Sequence, residues 1–346
     1  MEIEHGRVET ARHKSAYLVC GPVDGPRIYF VHGWPELSLS WRHQLLTLGN
    51  LGFRAIAPDM RGYGNSSNYS KHKDFALSEA VQDMVELHAA LGDGPAVWVG
   101  HDWGAPVVWS VALHYPEIVH ALANLCVPLG LEAGVDSIME HVDRNIYPAE
   151  TFPKGQWEYQ FFYNENFTAA QTEMEANPLK TVKLLFRKGD PAGAGQPAST
   201  AYTRINGGWF GPDGIPDMEV DLDIISANEA DIFAEALGRN SFFGPSSWYV
   251  NHDYNAAFSA KVRSAPITKP VLFFHGEYDY VCQTATGTLA DPMRARCSKL
   301  TEVFVKSGHW MAQERPIEVN AGLTHWLICN VGYWPETTPS SKIQSH

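Results

Sequence analysis

Apolar and polar positions alternate in blocks along the first 130 residues, and the blocks predict strands and helices in turn. The loose alternation in 2–20, followed by Gly-Pro at 21–22, predicts an antiparallel strand pair. Further predicted strands are the apolar runs 28–31, 53–57, 96–99 and 121–127. Helices are predicted at 38–49 and at 76–92, where apolar side chains recur with the helical period. This order predicts a mostly parallel sheet with helices on both faces.

The strand-and-helix order stops near residue 129 and resumes near residue 270. The segment between them is rich in aromatic residues, helical in patches, and loop-like with many Gly and Pro between 187 and 218. Strands are then predicted at 270–275 and 302–305, and a helix at 317–327. We therefore predict one α/β core, formed by 1–130 and 265–346, with a mainly helical cap inserted at 131–264. The tail after Trp334 is predicted to be frayed.

Composition narrows the class of protein. The chain has 346 residues, of which 45% are hydrophobic, so it can bury a large core. The net charge of -13 argues against nucleic acid or an anionic membrane surface as a partner. The N-terminus lacks the apolar stretch of a signal peptide, and no apolar run approaches the ~20 residues that span a bilayer. Five scattered cysteines without a CxxC pair indicate reduced thiols and a cytoplasmic protein.

The strand at 96–99 leads into 100–104, Gly-His-Asp-Trp-Gly, and then into a helical pattern with Pro106 in its first turn. Small residues two positions either side of Asp102 predict a nucleophile elbow, although an Asp before a helix can also be an N-cap. A carboxylate with an ordinary pKa of about 3.9 is ionised at neutral pH and needs no base to activate it. Its attack on a carbonyl would be unproductive, because the carboxylate leaves again. It suits displacement at saturated carbon, which forms an ester that water must cleave; a carboxylesterase would carry Ser here.

Candidate partners of Asp102 follow other predicted strands. His309 comes after the last strand and is the candidate base that activates water. Asp279, just past the strand at 270–275, is the candidate acid that orients His309, with Glu277 as its rival. The chain order nucleophile, acid, histidine is the order expected for an elbow of this type. The loop 32–35, His-Gly-Trp-Pro, stands where backbone N–H groups of Trp34 and Trp103 could hold an oxyanion.

Four motifs together resemble the α/β-hydrolase-fold epoxide hydrolases of the soluble type. They are His-Gly-Trp-Pro-Glu at 32–36, Asp-Met-Arg-Gly-Tyr-Gly at 59–64, Gly-His-Asp-Trp-Gly at 100–104 and Ser-Gly-His-Trp at 307–310. The resemblance covers nearly the whole chain and implies an α/β-hydrolase fold without the N-terminal phosphatase domain of some vertebrate members. It also implies a cis peptide bond between Trp34 and Pro35, and it favours Asp279 over Glu277.

Epoxide opening leaves a basic alkoxide, to which a phenol with a pKa of about 10 can supply a proton. The family places two cap tyrosines for this step. Tyr159 and Tyr249 resemble them, with Tyr163 as the alternative to Tyr159. We further predict a substrate-binding set made up of Trp34, Pro35, Trp103, Tyr163, Trp248 and Trp310.

Haloalkane dehalogenases also use an elbow Asp, and they are the nearest alternative. Halide release needs N–H donors rather than a phenol. Trp103 could supply one N–H donor, but Trp34 stands where dehalogenases usually carry the Asn that supplies a second donor. Dehalogenases that remove fluoride carry Arg where Trp103 stands, so small acids are unexpected substrates. A ligand-binding protein without turnover would not need His309. We therefore predict hydrolysis of a small hydrophobic epoxide by water, without cofactor or metal, by a monomer or homodimer.

Overall fold

The computed structural model describes residues 1–262, 264–332 and 334, and within them the chain forms one sheet of eight strands. The strands are β1 (Glu4–Glu9), β2 (Lys14–Cys20), β3 (Arg27–Val31), β4 (Arg54–Pro58), β5 (Ala96–His101), β6 (Val119–Leu125), β7 (Val271–Gly276) and β8 (Leu300–Val305). Their order across the sheet is β1-β2-β4-β3-β5-β6-β7-β8. β2 pairs antiparallel with β1 and β4, and the other neighbours are parallel. The predicted α/β fold with a mostly parallel sheet is confirmed.

The position of β5 at the middle of the sheet explains where the candidate site lies. Every residue of β5 is buried, between β3 on one side and β6 on the other. Trp98 of β5 stacks on Tyr29 of β3 with ring centroids 4.3 Å apart, and both rings are fully buried. Because these strands are parallel, the loops after β3, β5 and β7 leave the same edge of the sheet. Those loops carry Trp34, Asp102 and Asp279 respectively.

The described residues form twelve α-helices, which lie between or after the strands along the chain. They are α1 (Arg42–Asn50), α2 (Leu77–Leu91), α3 (Gly104–His114), α4 (Glu158–Glu165), α5 (Phe167–Glu175), α6 (Pro178–Leu185), α7 (Ala227–Asn240), α8 (Phe243–Ser247), α9 (His252–Ser259), α10 (Asp291–Arg296), α11 (Met311–Glu314) and α12 (Pro316–Trp326). The helix predicted at 38–49 begins as a 3₁₀ turn, Ser38–Trp41, before α1. None of the described helices is long and apolar enough to cross a bilayer.

The chain between β6 and β7 adds helices but, among its described residues, no strand to the sheet. Helices α4 to α9 lie in this segment, and the stretch 187–218 contains only the short 3₁₀ turns Pro191–Gly193 and Ser199–Tyr202. We keep the name "cap" for this segment; its boundaries at 131 and 264 stay a prediction. The tail predicted to be frayed, 335–346, lies outside the described residues.

Candidate active site

Asp102 occupies a strained turn between β5 and α3. Its backbone has φ = 48°, a left-handed conformation that side chains other than Gly rarely adopt. The turn needs Gly at its end: a Cβ on Gly104 would lie 2.0 Å from the carbonyl oxygen of Val31. The tightness of the turn lifts the carboxylate above the end of β5, where 14% of the side chain stays exposed. The geometry is that of a nucleophile elbow carrying a carboxylate.

His309 lies between two carboxylates. Its Nε2 is 3.2 Å from Oδ2 of Asp102, and its Nδ1 is 2.7 Å from Oδ2 of Asp279. Asp279 is buried, and its Oδ1 accepts the backbone N–H groups of Val281 at 3.2 Å and Cys282 at 2.9 Å. Asp279 is therefore fixed in orientation before it contacts the imidazole, whereas the hydrogen bonds found for Glu277 involve only its backbone. The structure brings Asp102, His309 and Asp279 together in the order that the sequence suggests.

Burial and charge act in opposite directions on His309. Burial alone would lower the pKa of the imidazole, but the charge of Asp279 and hydrogen bonds to Asp102 and Asp279 outweigh it, and the pKa is raised well above its usual value. Burial would raise the pKa of Asp279, but the charge of His309 and the hydrogen bond to it lower the pKa below its usual value. In this state His309 is an imidazolium held by two carboxylates. Loss of the charge on Asp102 removes one of the interactions that hold this proton.

The second oxygen of Asp102 faces backbone N–H groups. The Trp34 N–H donates to Oδ1 at 2.6 Å, and the Trp34–Pro35 peptide bond is cis, as the resemblance implies. A Cβ on Gly33 would lie 2.4 Å from Oδ1 of Asp102 and 2.5 Å from the backbone nitrogen of Trp103. The space left by this glycine is therefore where the carboxylate and both candidate N–H donors approach one another. Such a pocket can hold the oxygen of an ester or of its tetrahedral intermediate.

A cavity of about 380 Å³ opens over Asp102 and His309. Tyr159 and Tyr249 line it, with ring centroids 5.3 Å apart at an interplanar angle of 75°. Burial raises the pKa of both phenols well above the usual value, and the charge of Asp102 raises it further in each. The pKa of Tyr249 is also raised by the neighbouring phenol of Tyr159. Both hydroxyls therefore keep their protons and can donate hydrogen bonds at neutral pH. Tyr163 is fully buried and stacks on Tyr249 at 4.9 Å, outside the cavity lining.

The predicted substrate-binding residues divide into two groups. Trp34, Trp103 and Trp310 line the cavity. Pro35, Tyr163 and Trp248 are not among its lining residues; Trp248, for example, packs behind Trp103 with ring centroids 5.9 Å apart. The rest of the wall is mostly aliphatic or aromatic: Pro106, Val127, Leu131, Val135, Ile138, Trp157, Leu184, Leu185, Trp209 and Val281. Such a wall favours a hydrophobic ligand.

A buried charge pair behind the elbow was not found from the sequence. Nδ1 of His101 lies 2.8 Å from Oε2 of Glu36, and its Nε2 lies 2.7 Å from the backbone carbonyl of His309. Because both partners can only accept, the imidazole must donate from both nitrogens and is therefore charged. Burial would lower the pKa of His101, but Glu36 raises it to about 10. The signal was present in the sequence, since both residues belong to the quoted motifs, but neither side chain was expected to face the other.

The loop of His309 is also tied to the cap. Oε2 of Glu314 accepts the N–H groups of Gly308 at 2.8 Å and of Gly189 at 3.1 Å. The two glycine backbones touch: a Cβ on Gly189 would lie 2.3 Å from the nitrogen of Gly308. The indole N–H of Trp310 donates to the carbonyl of Leu185 at 2.7 Å. These contacts link the position of His309 to the end of α6.

Among the residues that the structure describes, two groups of side chains could hold a metal ion, and they share His309. In each of them the ligand atoms lie within 4.8 Å of one another. The groups are His101, Cys126 and His309, and Asp279, Cys282 and His309. Both ring nitrogens of His309 already face carboxylates, so a metal ion would compete with the arrangement described above. The sequence-based expectation of no metal stays a prediction.

Comparison with known proteins places this site in a family. A family model described as alpha/beta hydrolase fold matches residues 26–316. Epoxide hydrolase A of Mycobacterium tuberculosis is 32% identical over 333 residues, which cover 92% of this chain and 96% of the relative. The chain belongs to the α/β-hydrolase-fold epoxide hydrolases. The family resemblance predicted from the motifs is confirmed.

Other members of the epoxide hydrolase family agree with this placement. The crystal structure of epoxide hydrolase A from Mycobacterium thermoresistibile superposes with a TM-score of 0.75 at 30% identity, covering 97% of this chain and 100% of that one. Bifunctional epoxide hydrolase 2 of Sus scrofa is 32% identical over 304 residues, or 88% of this chain. The chain spans about half the length of that relative, 51%.

Proposed function

We propose that this protein hydrolyses epoxides to vicinal diols through an alkyl-enzyme ester on Asp102. One observation carries the proposal: the Asp102 carboxylate faces a cavity that it shares with His309 and with two buried phenols, Tyr159 and Tyr249. A carboxylate can displace oxygen at saturated carbon, the phenols can receive the charge on that oxygen, and the imidazole can activate water. The membership of the chain in the epoxide hydrolase family supports the same reaction.

In the first step, Oδ2 of Asp102 attacks an oxirane carbon while Oδ1 stays bound to the Trp34 N–H. The bond from that carbon to the ring oxygen breaks, and the oxygen takes a proton from a phenol. Tyr159 and Tyr249 hold the ring oxygen on the side away from the attacking carboxylate. The product of this step is a hydroxyalkyl ester of Asp102.

In the second step, His309 takes a proton from water, which adds to the ester carbonyl carbon of Asp102. The N–H groups of Trp34 and Trp103 hold the oxyanion, and its collapse expels the diol oxygen, which takes a proton from His309. When Asp102 becomes an ester, His309 loses one of its two charged partners and releases its proton to solvent. The imidazole is then neutral and can take a proton from water, and it is protonated again once the Asp102 carboxylate is restored. Asp279 supports the imidazolium throughout the step.

A pair of assays tests the reaction. The purified protein is incubated with styrene oxide and, separately, with 1-bromobutane, and the diol and free bromide are measured. We expect diol from the first and little bromide from the second. Bromide without diol would assign the protein to the dehalogenases instead, and neither product would favour a ligand-binding protein without turnover.

A variant of His309 tests the mechanism. In His309→Gln, ester formation should continue while ester hydrolysis stops, so intact-mass spectrometry should show an adduct after epoxide addition, on the peptide that contains Asp102. The matched control is His5→Gln, an exposed histidine on β1, which should turn over like the unmodified protein. Normal turnover by His309→Gln would remove the role given to that residue.

We also propose that the protein acts in the cytoplasm as a monomer or homodimer. All five cysteines are free, which supports a reducing compartment. Size-exclusion chromatography with light scattering measures the oligomeric state directly.

A further inference from the structure

The two cavity tyrosines differ in how their hydroxyls are bound. Nε2 of Gln160 donates a hydrogen bond to the hydroxyl oxygen of Tyr159 at 3.1 Å. Among the described residues, the side-chain hydrogen bond found for Tyr249 goes to its backbone carbonyl, and none is found for its hydroxyl. Gln160 is itself buried, at 4% exposure, and lines the cavity beside Tyr159. The donation therefore takes place away from bulk water, where a hydrogen bond is electrostatically stronger.

An N–H that donates to a phenol oxygen has two effects on the phenol. It occupies a lone pair, so the hydroxyl proton of Tyr159 points elsewhere, and the open direction is the cavity. It also stabilises the phenolate that forms when this proton leaves, because a hydrogen bond to a charged acceptor is stronger than one to a neutral acceptor. Tyr249 has no such donor and would form an unsupported phenolate in a buried site.

We infer that Gln160 makes Tyr159 the proton donor in epoxide opening, while Tyr249 holds the ring oxygen by a hydrogen bond without giving up its proton. This inference rests on the function proposed above. Gln160 touches Tyr159 rather than the reacting atoms, so it is a positioning residue.

Protons and electrons balance over the cycle. When Asp102 forms its bond to carbon, the electron pair of the broken carbon–oxygen bond goes to the ring oxygen, which takes the Tyr159 proton and leaves a phenolate. Hydrolysis of the ester by water yields the second diol hydroxyl and the protonated acid of Asp102. Asp102 then loses that proton, and the Tyr159 phenolate regains one. The net change is one epoxide and one water converted to one diol.

The spacing of the two phenols is set by a neighbouring amide. Nδ2 of Asn164 donates to the backbone carbonyl of Gln160 at 3.0 Å and to that of Tyr249 at 3.1 Å. Asn164 thus ties α4, which carries Tyr159 and Gln160, to the 3₁₀ turn Trp248–Val250. The asymmetry between the two hydroxyls is therefore held by the fold around the pair.

The electrostatics of the two phenols agree with this geometry. Burial and the charge of Asp102 raise the pKa of Tyr159, but the hydrogen bond from Gln160 acts in the opposite direction. For Tyr249, the largest influences are burial, the charge of Asp102 and three neighbouring phenols, and all of them raise the pKa. Of the two, Tyr159 has the environment that eases loss of its proton.

The test is a double-mutant cycle read at the ester-forming step. Single-turnover mixing with trans-stilbene oxide, followed by the fluorescence of the tryptophans around Asp102, separates ester formation from ester hydrolysis. Gln160→Leu removes the N–H donor at similar volume, and we expect ester formation to slow about tenfold, the size of one buried hydrogen bond. The rate of ester hydrolysis should not change, since Gln160 has no part in that step.

The tyrosine backgrounds decide between the two phenols. Gln160→Leu should slow ester formation about tenfold in Tyr249→Phe as well, but should have no further effect in Tyr159→Phe, which lacks the oxygen that Gln160 contacts. The matched control is Gln196→Leu, an exposed glutamine in the cap, which should leave both steps unchanged. Gln160→Met serves as a second apolar replacement if Gln160→Leu does not fold.

Three outcomes would overturn the inference: unchanged ester formation in Gln160→Leu, an equal effect in the Tyr159→Phe background, or equal slowing of both steps. These are distinct from failure of the proposed function. If the unmodified protein forms no ester and no diol, the proposed function is wrong and the inference falls with it. If the unmodified protein turns over and one of the three outcomes is seen, only the role of Gln160 is wrong.

Discussion

The buried pair of Glu36 and His101 allows a quantitative test of how the elbow is supported. Each side chain is 1% exposed, and the carboxylate lies 2.8 Å from the imidazole. Two unit charges at this distance attract by about 6 kcal/mol at an effective dielectric constant of about 20. Part of that energy offsets the loss of hydration, and removing one partner of a buried pair costs about 3–5 kcal/mol. We therefore expect Glu36→Gln to lower the free energy of unfolding by about 3 kcal/mol at pH 5.5.

Glu36→Gln tests charge rather than shape. The amide oxygen of Gln can still accept the Gly33 N–H that Glu36 accepts at 3.0 Å. The control is Glu235→Gln on α7, where the side chain is 81% exposed and 4.0 Å from Arg239. An exposed pair of this kind contributes about 0–1 kcal/mol, so the control should hardly change the free energy of unfolding.

The loss of unfolding free energy in Glu36→Gln should depend on pH, in a direction that can be measured. The pKa of His101 is raised from 6.5 to about 10, so its share of the stability is complete below pH 6.5 and is lost as the pH rises toward 10. Burial would raise the pKa of Glu36, but His101 lowers it from 4.5 to about 2, so its share is complete above pH 4.5 and is lost toward pH 2. The difference between the unmodified protein and Glu36→Gln should be largest between these limits.

Urea unfolding followed by tryptophan fluorescence at pH 5.5, 7.5 and 9 measures the loss of unfolding free energy in Glu36→Gln and its change with pH. Two results would refute the reasoning. One is a loss in Glu36→Gln that differs from the loss in Glu235→Gln by less than about 1 kcal/mol at pH 5.5. The other is a difference that stays constant up to pH 9, which would mean that His101 is not the charged partner.

Three further predictions concern catalysis. Asp279→Asn should lower the pKa of His309 and slow ester hydrolysis about a hundredfold or more, while the ester still forms. Rapid-quench mass spectrometry measures both steps. Ester hydrolysis at the same rate in the variant and in the unmodified protein would remove Asp279 from the mechanism. Gly33→Ala places a Cβ 2.4 Å from Oδ1 of Asp102 and should slow ester formation at least about tenfold in stopped-flow assays, with about 1–3 kcal/mol lost in stability. Leu131→Trp narrows the cavity and should raise KM for trans-stilbene oxide more than for propylene oxide; parallel changes would contradict this.

The sheet could be predicted because its signals are local. β3, β5 and β7 are short apolar runs that end at Gly or at the quoted motifs, and each strand lies within a few residues of its predicted range. The elbow was predictable for a related reason, since the small residues around Asp102 meet a steric demand of the turn itself. The order of the strands across the sheet was not predicted, because pairing partners come from distant parts of the chain.

The cap was less predictable than the core. Tyr159 and Tyr163 stand four residues apart on α4, so periodicity puts both on one face and cannot say which one reaches the cavity. The structure places Tyr159 in the cavity wall and stacks Tyr163 behind Tyr249.

The pair of Glu36 and His101 was missed for a different reason: its partners are 65 residues apart, and a buried charge leaves no periodic signal.

The contact between Gly189 and Gly308 limits how this protein can be diversified. A side chain at either position would meet backbone atoms within 2.7 Å, and backbone cannot be repacked by a rotamer change. The neighbouring cavity wall is made of side chains, which can be exchanged for others. A library aimed at new substrates should therefore randomise the wall and keep both glycines invariant. We expect active members of a library randomised at both positions to recover glycine at each.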